Sequence, residues 1–124
     1  MSDLSKRNKA NKRKGAQYET DLITYLREQG MDAERLRLTG QYDEGDIAAS
    51  YPGAARVFVI EAKNTARHTL AEFVDESEKE CRNYANKRGK EVSTTIPVVI
   101  MKRRNHGVDK SYVVMSLDTL LRRL

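Results

Sequence analysis

Glu61 and Lys63 stand one residue apart at the end of an apolar run, residues 56–63, Arg-Val-Phe-Val-Ile-Glu-Ala-Lys. Side chains of a strand alternate between faces, so Val57, Val59, Glu61 and Lys63 share one face and Phe58, Ile60 and Ala62 the other. Both faces begin apolar and one ends in charge. Such a strand belongs in the middle of a covered sheet, where a carboxylate and an ammonium are costly without a partner or a task. Asp46 opens a second short apolar strand, and Tyr51-Pro-Gly turns that strand back into the first as a hairpin. With the turn centred near Pro52 and Gly53, the arms to Asp46 and Glu61 differ by about two residues, which a bulge or a longer loop absorbs. Glu19 lies on the edge of a helical apolar stripe, because Leu22, Ile23 and Leu26 follow it at helical spacing. The ordinary reading of Glu19 alone is a boundary glutamate that reaches water or pairs with a lysine.

Carboxylates gathered around one point bind a hard divalent cation through oxygen, Mg²⁺ or Mn²⁺ rather than zinc. A cation there lowers the pKa of bound water and offsets charge on a phosphate, while a nearby lysine orients the water or neutralises the same phosphate. The implied reaction is phosphodiester hydrolysis, with no small-molecule cofactor. For a basic chain the matching substrate is nucleic acid.

The elements that must hold these groups are legible in the rest of the chain. Its 124 residues suit one domain with a core of its own. Cys81 has no partner for a disulfide, and with only His68 and His106 beside it there is no Cys/His zinc cluster, so a reducing, cytoplasmic setting is expected. No run approaches a membrane span, and no secretion signal opens the sequence. Residues 1–14 hold Lys6, Arg7, Lys9, Lys12, Arg13 and Lys14 against Asp3 alone, and so contain the entire net charge of +5. With almost nothing apolar to bury, this arm is expected to be disordered, serving either as a solubilising tail or as a contact for a polyanion.

Residues 15–124 then form a single domain. Tyr18, Leu22, Tyr25 and Leu26 mark a helix that Gly30 ends. Residues 33–38 alternate as a strand, with Leu36 and Leu38 inward and Arg35 and Arg37 wet. Residues 39–45 form a polar loop whose two glycines allow close approach to a ligand. Thr69-Leu-Ala-Glu72 is a capping box opening a second helix, with Leu70, Phe73, Val74, Ser77, Cys81, Tyr84 and Ala85 as its buried stripe. Residues 96–101 and 112–115 are further strands, and residues 117–124 a terminal helix. Lys102, Arg103 and Arg104 leave a buried strand together, as phosphate contacts or as a solvated loop. The order αβββαββα predicts an α/β fold, a mixed sheet flanked by helices.

Lys14-Gly15 with Tyr18, Glu19 and Leu22 on the first helix, Gly45-Asp46 opening a strand, and Glu61-Ala62-Lys63 closing the next resemble the PD-(D/E)XK nuclease superfamily. Within it they are most similar to the Holliday junction resolvases of archaea and phages. The resemblance runs from residue 14 to about residue 102 and implies a restriction-endonuclease-like fold, a Mg²⁺-dependent endonuclease acting on branched DNA, and a homodimer. It implies that Asp46, Glu61 and the Ala62 carbonyl ligate the metal, that Lys63 handles the nucleophilic water, and that Glu19 completes the site directly or through water. Archaeal members tend to carry an arginine directly after the helix glutamate. Here that position is Thr20, so the phosphate contact falls to the arm or to Arg35. Another nuclease of the same superfamily, acting on duplex or single strands, and a non-catalytic DNA-binding module are the alternatives.

Overall fold

Two amphipathic helices clamp opposite faces of a strand pair that is apolar on both sides, and the rest of the chain extends that arrangement. The computed structural model describes residues 2–37, 44–66 and 69–122. Helix α1 (Asp3–Glu28) is followed by strands β1 (Asp32–Arg35), β2 (Ile47–Ser50) and β3 (Val57–Lys63), helix α2 (Leu70–Lys87), strands β4 (Thr95–Met101) and β5 (Tyr112–Val114), and helix α3 (Leu117–Leu121). The strands form one mixed sheet in the order β1-β2-β3-β4-β5, antiparallel throughout except for the parallel pair β3 and β4. A parallel pair needs a crossover, and α2 supplies it. The predicted order αβββαββα is the observed one.

The alternation of β3 divides the core in two. Ile60, with Phe58 and Ala62, packs with Ile96, Val98 and Ile100 of β4 against Tyr18, Leu22 and Ile23 of α1. Val59 and Val57 face the opposite way and pack with Ala48, Cys81 and Tyr84. Cys81 is therefore a core residue. Ile47, Val59 and Val99 are among the fully buried side chains, each contributing roughly 1.5–3 kcal/mol of transfer free energy. Among the described residues, no helix is long and apolar enough to cross a membrane.

Four local expectations change. The arm is not irregular: α1 starts at Asp3 and carries residues 3–14 as exposed helix. Ser2 caps it by accepting from the Ser5 amide, Asp3 sits in the first turn, and the lysines, arginines and Ala10 are good helix formers continuous with a turn already held by the core. Strand β1 is shorter and earlier than residues 33–38, and its buried residue is Ala33, while Leu36 packs at the edge of the α2-side cluster. Leu38 and residues 39–43 of the polar loop lie outside the described residues, as do Arg67, His68, Arg123 and Leu124. Thr69 stands at the N-cap of α2, yet its side chain makes no capping bond, and Leu70 remains exposed.

Candidate metal and phosphate site

The site is assembled where β2, β3, α1 and α2 meet. Asp46 is fixed before its side chain does anything. Its amide donates to the Ile60 carbonyl (2.9 Å) and its carbonyl accepts from the Leu36 amide (2.8 Å), which ties it to both neighbouring strands. Ile60 is already the register partner of Ile47, so Asp46 and Ile47 both address one residue of β3, the geometry of a bulge. The connection through residues 51–56 takes up the rest of the predicted offset. Gly45 makes the approach possible. Its φ of +94° suits glycine, and a Cβ there would lie 3.1 Å from Val59 Cγ1 and 3.3 Å from the Ile60 carbonyl oxygen. Asp46 Oδ2 then accepts from the Ala62 amide at 2.8 Å, placing the carboxylate across the end of β3.

Glu19, on the edge of the α1 stripe, is half-buried, and its carboxyl and that of Asp46 are within hydrogen-bonding reach, as are those of Asp46 and Glu61. Glu61 is 7% exposed. Its Oε1 lies 3.3 Å from Lys63 Nζ, and that ammonium also stands 3.5 Å from Glu76 Oε2 on α2. All four predicted catalytic residues, Glu19, Asp46, Glu61 and Lys63, therefore meet at one point.

The electrostatics record a surplus of negative charge. Burial, then the charge of Asp46, raises the Glu19 carboxyl to about 7, against which Arg35 works. Burial, then contact with Glu80, then the Asp46 charge raise Glu61 to about 10. Burial also raises Asp46, opposed chiefly by the Ala62 amide and the Glu61 carboxyl. For Lys63, burial favours the neutral amine, but Glu61 and Glu76 outweigh it and hold the ammonium above its usual range. The Glu61 Oε2 atom is buried, and among the described residues no amide, hydroxyl or basic group donates to it. A carboxylate oxygen left in that condition, amid other carboxyls, fits a hard divalent cation.

Two acids of α2 join the cluster that sequence reasoning overlooked. One oxygen from each of Glu61, Glu76 and Glu80 lies within 4.8 Å of the others, with Glu61 and Glu80 buried and Glu76 exposed. Glu80 had a readable signal, because it stands three residues after Ser77 and four before Tyr84, inside the buried stripe. Glu44 had none. It is 5% exposed and held by Lys87 (3.1 Å) and Arg88, whose guanidinium lies 4.0 Å over the Tyr84 ring.

The basic candidates fall in three places. Lys6, Arg7, Lys9, Lys12, Arg13 and Lys14 are exposed on the free length of α1. At its inner end, the Lys14 carbonyl accepts from Asn64, directly beyond Lys63 (3.5 Å). Arg35 donates to the Ala16 carbonyl (3.0 Å) and to Thr20 Oγ1 (2.8 Å), so a guanidinium sits beside Thr20 and acts on Glu19. Lys102 leaves β4 with its amide on the Lys63 carbonyl (2.9 Å) and its ammonium on the His106 carbonyl (2.8 Å), with Arg103 and Arg104 exposed after it. Residues 102–104 thus leave the sheet at the end where β3 delivers Lys63.

No protein-family model matches the chain, and no curated protein does. Among solved structures, it is similar to the Holliday junction resolvase Hjc of the archaeal hyperthermophile Archaeoglobus fulgidus, with a TM-score of 0.53 and 22% sequence identity over 86% of this chain and 93% of that one. The likeness is one of fold, an α/β mixed sheet flanked by helices of the restriction-endonuclease-like kind.

Proposed function

We propose that the protein is a Mg²⁺-dependent endonuclease that hydrolyses DNA phosphodiesters at four-way junctions, with Mn²⁺ able to substitute. The observation that carries this reading is the convergence of Glu19, Asp46, Glu61 and Lys63, from α1, the start of β2 and the end of β3. The choice of branched DNA is supported by the motifs read in the sequence and by the fold shared with a junction resolvase. Asp46, Glu61 and the Ala62 carbonyl would hold the cation, and Glu19 would complete its surroundings directly or through water. The chemistry supplied by a bound Mg²⁺ is Lewis acidity toward a water and a phosphate oxygen.

The chain's own groups do the remaining work. The Ala62 amide fixes one Asp46 oxygen and leaves the other for ligation. Glu61, whose carboxyl burial and its acidic neighbours hold in the neutral form, would be ionised beside a bound cation, because a neighbouring positive charge favours the carboxylate. Lys63, a full ammonium beside Glu61, orients the attacking water and offsets charge on the phosphate. Arg35, Lys102, Arg103, Arg104 and the basic length of α1 hold the sugar-phosphate backbone, and two copies of the chain present two such centres to one junction.

Asp46→Asn and Glu61→Gln test the centre, since each removes a ligand charge at nearly constant shape. Cleavage of a synthetic junction in Mg²⁺ should fall at least a hundredfold in either variant, while junction affinity in gel shifts stays level or improves. Wild-type turnover by either variant removes the assignment.

A further inference from the structure

Lys63 has two carboxylate neighbours with different demands on them. Glu61 is buried and is claimed by the cation, so its charge cannot fix the ammonium once the cation is bound. Glu76 has a side chain 45% exposed, and it reaches Lys63 Nζ from α2 at 3.5 Å. Phe73, three residues earlier on the same helix face, lies under the same ammonium, with Nζ 4.9 Å from the ring centroid. One turn of α2 therefore gives Lys63 an anionic wall and an aromatic floor.

From this geometry we infer that Glu76, with Phe73 beneath, is the positioning residue that fixes the Lys63 ammonium when Glu61 turns to the metal. The inference rests on the nuclease reading for its consequence but on α2 for its geometry. A lysine with four rotatable bonds loses direction when its counter-charge leaves, and a misplacement of about 1 Å at a reacting group costs on the order of 100-fold in rate. Glu76 keeps that direction from α2, although one of its oxygens also lies within 4.8 Å of those of Glu61 and Glu80, so the test has to separate a seat for Lys63 from a metal ligand.

The test is Glu76→Gln, with Glu76→Asp as the conservative variant and Asp75→Asn, on the exposed side of the same turn, as the control for charge loss. Single-turnover junction cleavage at saturating DNA and Mg²⁺ should fall roughly 10- to 100-fold in Glu76→Gln, recover in part in Glu76→Asp and stay unchanged in Asp75→Asn. DNA affinity and half-saturating Mg²⁺ should not move. In labelled-lysine NMR of the full chain with Mg²⁺, the Lys63 side-chain signals should shift in Glu76→Gln and Phe73→Leu and hold in Asp75→Asn. A weakened Mg²⁺ response in Glu76→Gln overturns the inference, making Glu76 a ligand, and so does an unchanged rate. If the wild type cleaves no DNA in Mg²⁺, the nuclease reading fails, and the NMR comparison alone decides whether the α2 seat exists.

Discussion

Glu19 gives the most direct reading of how much the crowded carboxyls cost. A carboxyl whose pKa is raised on folding, here from 4.5 to about 7, contributes stability that is complete below pH 4.5 and is lost as the pH climbs through 7. The full shift corresponds to about 3 kcal/mol, and solvent around a half-buried group reduces this to about 1 kcal/mol. In the absence of divalent cations, wild type should therefore lose a few degrees of thermal midpoint between pH 5 and pH 8 relative to Glu19→Gln. Added Mg²⁺ should narrow that gap. Parallel melting curves for the two proteins would count against a crowded Glu19. Gly45 is the second residue on which the centre depends. Gly45→Ala puts a methyl against Val59 and the Ile60 carbonyl at positive φ, and should destabilise by about 2 kcal/mol while displacing Asp46. Chemical denaturation reads the first effect and junction cleavage the second.

At the scale of elements, the basic length of α1 behaves differently as a helix than as a loose arm. A flexible arm can bring all six basic side chains to one backbone. A helix about 18 Å long cannot, because Lys6, Lys9 and Arg13 share one face while Arg7 and Lys14 point elsewhere. Removal of residues 2–13 should therefore lower the slope of log affinity against log salt by about 2–3, near 0.9 per lost phosphate contact, rather than by the larger value that all the charges together predict. Cleavage at saturating DNA should persist, since none of those residues approaches Asp46 or Glu61. An unchanged slope returns this stretch to the role of a solubilising extension.

For the whole molecule, the proposed function requires that a chain with one centre per copy select a branched substrate. Two centres related by a twofold axis match the paired phosphates of a four-way junction, whereas linear duplex places its phosphates elsewhere. Selectivity of this kind comes from backbone contacts and deformation of the DNA rather than base reading. Symmetric paired nicks about the branch point are the expected products, with linear duplex largely spared and a dimer in sedimentation. Equal cleavage of linear duplex by a monomer favours a repair or restriction-like nuclease of the same fold.

The alternation in β3 and the helical stripe of α1 are local patterns, so the sequence by itself determined the element order and the face on which Glu61 and Lys63 stand, whereas the place of Glu19 beside Asp46 came only with the resemblance and the packing of α1. Periodicity needs no partner to be read. What it could not determine is which charged groups share a space, because that depends on the angle at which α2 crosses β3. Glu76 and Glu80 enter the site, and Glu44 enters the core, only through that packing. Residues 3–14, expected to be disordered because they have almost nothing apolar to bury, are helical, since propagation from the packed turns of α1 needs no burial of its own. The offset between Asp46 and Glu61 is divided between the loop and the bulge, since a hairpin's register is set jointly by its turn and by the neighbours its strands must satisfy.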